Sequence, residues 1–496
     1  MLFSSTLFLF GFLPIVLLGH TLLQPRYRNA WVCLASLAFY GWGEPFVLVV
    51  MLASIAANWP LGLWVQRKPN AVLPLVACLV FNLGILVGFK YADWLVDAAS
   101  SVLCGLGLIG GPLPRIATLV PADWALHSIL FTPQGNVRLP IGVSFFTFQA
   151  MSYVIDIRRG EVRAMRNPLD LALYKSLFPQ LIAGPIVRYR DIEHQIHDRT
   201  VDVAGFAYGV RRFVLGLGKK MLIANTVAEI ADAIFAIPGN ALPASVAWLG
   251  IVCYTAQIYF DFSGYSDMAI GLGHMLGFRF LENFDYPYVS RSITEFWRRW
   301  HISLSTWFRD YLYIPLGGNR AGPVRTMFNL LLVFVLCGLW HGASFSFLVW
   351  GLFHGAFLVI ERIGLRAWLE RRHAAVRHVY VMLAVMVGWV FFRANTLPHA
   401  LSYLAAMAGL SGADTQLYHL SLYLNPMVVA ALAVAIAGST PIVPRATEWV
   451  LAQTSGRSAL ELCSRSLGLV AVGAIMLASC LLMAAGTYNP FIYFRF

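Results

Sequence analysis

The sequence predicts an all-α polytopic membrane protein, and three observations lead to this fold class. Of the 496 residues, 59% are hydrophobic and 12% are charged, and the mean hydropathy is +0.68. Several apolar runs reach the roughly 18–20 residues that a helix needs to cross a bilayer. The formal net charge of +12 resides largely in short segments between these runs, which the positive-inside rule explains without any nucleic-acid partner.

The apolar runs predict about eleven transmembrane helices, with further re-entrant or interfacial helices, in one domain over residues 1–496. The candidate segments, in order, are 2–23, 30–43, 46–65, 71–89, 94–112, 138–156, 171–187, 204–236, 244–260, 266–280, 327–341, 345–361, 378–393, 424–438 and 466–486. Residues Arg158–Arg166 and Arg362–Arg377 form basic segments that we expect to be cytoplasmic loops, with the N-terminus outside. No repeat of fixed period is visible, which weakens a transporter model built on inverted halves.

The stretch Ser290–Ala343 departs most from the apolar background. Aromatic and aliphatic residues recur in it at spacings of three and four: Trp297, Trp300, Leu304, Trp307 and Tyr311. This spacing predicts one helix, over residues 291–311, with an apolar face. Because arginines occupy much of the rest, we expect that helix to lie at the membrane edge and not to cross it.

His341 is the other notable feature of this stretch. It follows Trp340 within Leu330–Ala343, a run that is otherwise apolar. An ionisable group at membrane depth is costly and usually faces a cavity or a proton relay. The alternative is a histidine hydrogen-bonded to a neighbouring helix.

Two further clusters predict local breaks. Pro179 and Gly184-Pro185 should interrupt the helix around residues 171–187, because proline removes a backbone donor. In the run DFSGYSD, Ser263 or Ser266 is expected to cap a new helix that carries Asp267.

Cysteine usage gives no sign of a metal site. The seven cysteines form no CxxC pair and lie mostly in apolar segments, so we expect neither a disulfide framework nor zinc. No GxSxG motif is present, which argues against a serine acyl-enzyme.

Three long motifs stand out: QIYFDFSGYSDMAIGLG, ENFDYPYVSRSITEFWRRWHISLSTWFRDYLYIPLGGNR and LWHGASFSFLVWGLFHG. They resemble the membrane-bound O-acyltransferase family, and within it the bacterial subgroup that contains the alginate O-acetylation membrane protein. The resemblance extends to the terminal YNPFIYFRF and is strongest over residues 139–355. It implies a ring of helices around a central funnel, and a multi-pass O-acetyltransferase of the bacterial inner membrane.

The resemblance also implies the catalytic residues. The family's invariant histidine corresponds to His341, the histidine of WHIS to His301, and His354 matches the subgroup. Since imidazole has an unperturbed pKa of about 6.5, it suits a general base at neutral pH. We assign that role to His341, and expect His301 either to orient the acceptor or to donate a hydrogen bond to the thioester carbonyl. Trp340 and Asp267 are expected to support them.

The implied donor is acetyl-CoA, used as a substrate with no permanently bound cofactor. Four residues are candidates to hold it: Arg298, Arg299, Trp300 and Arg309. The two adjacent arginines could equally anchor the helix at the interface. The implied partners are periplasmic acetyltransferase subunits and an exopolysaccharide, alginate before cellulose, as final acceptor. The rival class is a proton-coupled transporter in which buried histidines relay protons.

Overall fold

Helices make up almost all regular structure in the computed structural model of this chain, which describes residues 1–43, 45–182, 184–413, 417–454 and 458–492. Within these ranges the extended structure is limited to an isolated bridge between Phe131 and Val137. The prediction of an all-α fold is therefore confirmed. The last four residues of the YNPFIYFRF motif lie outside the described residues.

The chain divides into two compact units. The first comprises residues 14–200 with residues 1 and 342–344, and the second comprises residues 2–13, 201–341 and those from 345 onward. The single domain expected over residues 1–496 stays a prediction.

The α-helices that begin before residue 200 are α1 (Leu13–Leu22), α2 (Pro25–Gly41), α3 (Pro45–Arg67), α4 (Leu73–Leu86), α5 (Ala92–Gly105), α6 (Ala125–Leu130), α7 (Val143–Arg159), α8 (Pro168–Ser176), α9 (Phe178–Leu181) and α10 (Tyr189–His197). Those after residue 200 are α11 (Val203–Gly218), α12 (Asn225–Phe235), α13 (Ala244–Met275), α14 (Ile293–Arg299), α15 (Ile302–Phe308), α16 (Pro323–His341), α17 (Phe345–Ile360), α18 (Arg366–Glu370), α19 (Ala374–Arg393), α20 (Leu397–Met407), α21 (Pro426–Gly438), α22 (Ile442–Thr454) and α23 (Ser458–Ala484).

Among the described residues, six helical segments are long and apolar enough to cross a membrane, or seven if the pair α21 and α22, bent by 66°, forms one broken span. The six are Pro45–Arg67, Leu73–Gly105, Pro323–His341, Phe345–Glu370, Ala374–Arg393 and Ala459–Ala484. They confirm a multi-pass membrane protein. The count of about eleven stays a prediction.

In the first unit, the break expected near Pro179 is confirmed. Helix α8 ends at Ser176, and α9 is a single turn that ends at Leu181. Near the end of α8, Lys175 is fully buried and donates a hydrogen bond from Nζ to Ser54 Oγ at 2.6 Å. A buried amine is tolerated where such a partner is supplied.

In the second unit, the expected break within DFSGYSD is wrong. Helix α13 runs unbroken for 32 residues, so Ser263 and Ser266 lie inside it and cap nothing. Close packing explains why the helix continues: a Cβ on Gly264 would lie 2.8 Å from the carbonyl oxygen of Gly216 in α11. Glycine lets the two backbones approach to this distance, and the resulting tertiary contacts override the local preference of serine for caps.

The single helix expected over residues 291–311 is also wrong. Helices α14 and α15 are separated at Trp300 and His301, and a π-helical turn, Arg309–Tyr313, follows α15. The break arises because backbone groups on each side bond elsewhere: Ile302 N donates to Asn283 O at 2.9 Å, and Asp285 N donates to Arg299 O at 3.0 Å. The apolar stripe itself is buried as expected: Trp297, Trp300, Leu304, Trp307 and Tyr311 are each at most 8% exposed.

The two basic segments are less loop-like than expected. Residues Arg158 and Arg159 end α7, and Glu361–Leu365 forms a π-helical turn that leads into α18. The turn is kinked at Gly364 (φ 150°, ψ −25°), so Arg362 and Arg366 lie on either side of the kink.

Candidate active site

A small void beside His341 defines the candidate active site. Its volume is about 10 Å³, room for about one water molecule. Eight residues line it: Ile258, Phe262, Trp300, His341, Trp350, Trp389, Phe392 and Ile492. Its surface is therefore aromatic and aliphatic, with few polar atoms besides those of His341 and the tryptophans.

The contact between α16 and α17 positions His341. A Cβ on Gly338 would lie 2.3 Å from the carbonyl oxygen of Phe347, and a Cβ on Gly351 would lie 2.3 Å from that of Phe334. The two glycines therefore let the backbones of α16 and α17 pack closely beside His341.

The His341 ring is 6% exposed and sits among aromatic rings. Its centroid lies 5.0 Å from that of Trp340, 5.1 Å from that of Trp350 and 5.1 Å from that of Phe392, all in edge-to-face geometry. The last residue of α16 is therefore fixed by α17 and α19 together.

His301 lies one residue layer from the void. Its ring packs edge-on against Phe262 at 4.7 Å and contacts Trp340 at 6.3 Å, so both histidines touch Trp340. Nδ1 of His301 lies 3.2 Å from Asn283 Oδ1, whereas Nε2 is buried and makes no hydrogen bond within the described residues. Burial lowers the pKa of His301 to about 3, so the ring is neutral at physiological pH.

The other expected supporting residues occupy different places. His354 is fully buried behind the void wall, with its ring centroid 5.1 Å from those of Trp297 and Trp350. Asp267 does not line the void. It pairs with Arg212 and Lys219, each at 2.6 Å, and so ties α13 to α11 and the turn after it.

Two basic cavities adjoin each other around α14 and α18, with volumes of about 910 and 440 Å³. They share Thr294, Arg298, Arg366 and Glu370. Seven arginines line one or both of them: Arg291, Arg298, Arg299, Arg309, Arg362, Arg366 and Arg377. Four carboxylates accompany these arginines: Asp285, Glu295, Glu361 and Glu370. The excess of guanidinium groups makes both cavities suited to a polyanion.

The four donor-binding candidates from the sequence lie at two different sites, the basic cavities and the void. Arg298 lines both basic cavities and Arg309 lines the larger one. Arg299 lines the smaller one and is also engaged by Asp285 at 2.7 Å and Glu295 at 3.1 Å. Trp300 instead lines the void beside His341.

Sequence reasoning missed several residues of this site. Trp350, Trp389 and Phe392 carry no signal in an apolar run, because an aromatic residue that faces lipid looks the same. Asn283 lies in the quoted ENFDYP motif, but its sequence position does not reveal that its side chain contacts the His301 ring beside the helix break. No group of three or more His, Cys, Asp or Glu able to hold a metal occurs among the described residues.

Comparison with known proteins identifies the family of this chain. Residues 141–395 match the model of the membrane-bound O-acyltransferase family. The chain belongs to this family and is an acyltransferase, so the resemblance and the enzyme class predicted from its motifs are confirmed.

Three relatives illustrate the similarity. The chain is 42% identical to a Pseudomonas putida protein and 40% identical to an Azotobacter vinelandii protein, both named "Probable alginate O-acetylase", over the full length of each pair. It is 36% identical to the peptidoglycan O-acetyltransferase of Helicobacter pylori, over 85% of this chain and 82% of that one.

Proposed function

We propose that this acyltransferase moves acetyl groups from cytoplasmic acetyl-CoA across a bacterial inner membrane, for the O-acetylation of secreted alginate. The void beside His341 carries the proposal. His341 lines a void of about 10 Å³ whose walls include tryptophan and phenylalanine, and this apolar lining favours a small acyl group. The names and full-length similarity of the two alginate relatives support alginate as the polymer.

In this proposal His341 is the general base. It takes the proton of the acceptor hydroxyl, whose oxygen forms a bond to the acyl carbon. The C–S bond then breaks with its electron pair on sulfur, and the proton passes from His341 to the thiolate. A positioned base of this kind contributes typically 10²–10⁴-fold to the rate. His301 acts on the same substrates from the far side of Trp340, while His354, Trp340 and Asp267 hold the surrounding helices.

The two basic cavities are proposed to hold the phosphates of acetyl-CoA. Arg298 and Arg309, expected from the sequence, are joined there by Arg362 and Arg366. Guanidinium groups bind phosphate through paired N–H donors. Because the segment 362–377 is expected on the cytoplasmic side, this placement suits a cytoplasmic donor.

The final transfer to the polymer is proposed to require periplasmic acetyltransferase partners. Acetyl-CoA is cytoplasmic and the polymer is secreted, so the acetyl group crosses the membrane through this protein and reaches the polymer on a hydroxyl of a partner or small carrier. Deleting the partner genes should abolish polymer acetylation and leave acetyl-CoA turnover by this protein detectable. Direct acetylation of alginate by the purified protein at full rate would contradict the relay.

Acceptor identity is tested in an alginate-producing strain that lacks its own alginate O-acetylase. With this chain expressed, base-released acetate should return to the purified alginate. Because the Helicobacter pylori relative is named a peptidoglycan O-acetyltransferase, peptidoglycan is the second candidate acceptor. Unacetylated alginate together with newly acetylated muropeptides would assign the chain to peptidoglycan instead.

A further inference from the structure

The proposed acetyl transfer requires a hydrogen-bond donor that neither histidine supplies. Negative charge develops on the thioester carbonyl oxygen during attack, and a donor in a water-excluded site stabilises it strongly. The inference below rests on the proposed function, and concerns which group provides that donor.

His301 cannot provide it, because Asn283 already binds its proton. The Oδ1 atom of Asn283 accepts a hydrogen bond from the backbone N–H of Ser303 at 3.2 Å and from Ser303 Oγ at 2.9 Å. A backbone N–H only donates, so this contact fixes which side of the amide is oxygen. The amide nitrogen on the other side donates to Ser266 Oγ at 3.2 Å.

With the amide orientation fixed, Nδ1 of His301 must be the donor to Asn283 Oδ1. The neutral ring then carries a lone pair on Nε2. Of the two roles open to His301, donation to the thioester carbonyl is removed. Accepting a hydrogen bond from an O–H or N–H of the bound substrate remains.

Two tryptophans of the void wall differ in what their indole N–H groups bind. Nε1 of Trp389 donates to Tyr288 Oη at 3.3 Å. Nε1 of Trp350 is buried and has no hydrogen-bond partner within the part of the chain that the structure describes. A buried donor without a partner destabilises the folded protein, so the unpaired N–H of Trp350 requires an explanation.

Trp350 is also well placed for chemistry. It is fully buried, lines the void, and packs edge-to-face on the His341 ring with centroids 5.1 Å apart. We propose that the indole N–H of Trp350 is a catalytic group that binds the thioester carbonyl oxygen as negative charge develops on it. As the acceptor oxygen attacks the acyl carbon, the C=O electron pair moves onto the oxygen held by this N–H, and returns when the C–S bond breaks.

A matched pair of substitutions tests this proposal, Trp350→Phe and Trp389→Phe, in the purified full-length protein with acetyl-CoA as donor. Both remove an indole N–H from the same wall and keep an aromatic ring. Trp350→Phe should lower kcat by about 10²–10³-fold with little change in the KM for acetyl-CoA. It should lose less stability than Trp389→Phe, because both changes leave a cavity but only Trp350→Phe removes an unsatisfied donor. Trp389→Phe should lose more stability, because Tyr288 Oη loses the hydrogen bond that it accepts from Trp389 and keeps the one that it donates to Thr255 O. It should lower kcat far less.

Two results would overturn the proposal: a Trp350→Phe enzyme with the wild-type kcat, or equal losses of kcat and stability in both variants, which would mean that Trp350 only packs. These results differ from failure of the proposed function, in which the wild-type protein itself transfers no acetyl group.

Discussion

His301 adopts a backbone conformation that residues other than glycine rarely occupy. Its φ is 45° and ψ is 55°, and Tyr286 is the other non-glycine residue with positive φ among the described residues. Such a conformation costs on the order of 1–3 kcal/mol and persists where surrounding contacts enforce it. Here the enforcing contacts are those of residues 283–285 with residues 299–302, and they turn the ring toward Phe262 and Trp340.

The neutral state of buried His301 makes stability depend on pH. Its pKa is lowered from 6.5 to about 3, so between these values the unfolded chain binds a proton that the folded chain does not. The free energy of unfolding therefore falls as pH falls below about 6.5. Between pH 7.5 and 5.5, the free energy of unfolding should fall by about 1 kcal/mol more in wild type than in His301→Gln. Denaturant unfolding at the two pH values measures this, and equal losses would show that His301 is protonated in the folded protein.

For single residues, the sequence reveals ionisable side chains more readily than the hydrogen bonds that side chains make. His341 and His301 stand out because an imidazole is unusual in apolar or aromatic surroundings. Asn283 and Trp350 do not stand out. The role of Asn283 depends on its hydrogen bond with His301, and that of Trp350 on an indole N–H without a partner among the described residues. Neither can be read from residue type.

Glycine pairs set the spacing of the helices that carry the site. Gly338 and Gly351 bring α16 against α17, while Gly264 and Gly216 do the same for α13 and α11. The first pair places His341 beside Trp350. The second holds α13, which contributes Ile258 and Phe262 to the void wall.

Adding a methyl group at one of these contacts should destabilise the protein. In Gly264→Ala the new Cβ would lie 2.8 Å from the Gly216 carbonyl oxygen, so the helices must separate, at about 1–3 kcal/mol. The matched control is Gly473→Ala in α23, where no atom lies within 4 Å. That change should be neutral or stabilising by up to about 1 kcal/mol. A Gly264→Ala protein as stable as wild type would contradict the close contact.

The same contacts explain why element boundaries were harder to predict than elements. Local preference suggested a cap at Ser263 or Ser266 and a continuous helix through His301, and both expectations failed. In each case a distant segment, α11 for one and residues 283–285 for the other, supplied the deciding interactions.

Across the whole molecule, apolar surface is distributed as in a membrane protein. In the apolar window of α23 only 6% of residues are buried, an exposure suited to lipid. Helix α13 is almost entirely buried and carries polar residues, so it is absent from the segments that pass the apolar test. Hydropathy therefore predicts the class of protein, whereas the number of crossings also depends on buried polar helices such as α13.

Topology follows from the basic segments and can be tested by cysteine labelling. Arg163 and Arg371 are both exposed, and the positive-inside rule predicts that both face the cytoplasm. Single cysteines at these positions, with the exposed Cys104 and Cys463 replaced, should react with an impermeant maleimide only after the membrane is opened. If these cysteines react while the inner membrane is intact and the reagent reaches only the periplasm, the proposed cytoplasmic entry of the donor is contradicted.

The central claim is that His341 transfers an acetyl group from acetyl-CoA, and acetyl release by the purified protein tests it most directly. The measurement follows radiolabelled acetyl-CoA turnover by wild type, His341→Ala and the exposed control His419→Ala, all confirmed as folded. We expect turnover in wild type and His419→Ala, and a loss of at least about 10²-fold in His341→Ala. Turnover by His341→Ala at a rate close to wild type would contradict the account.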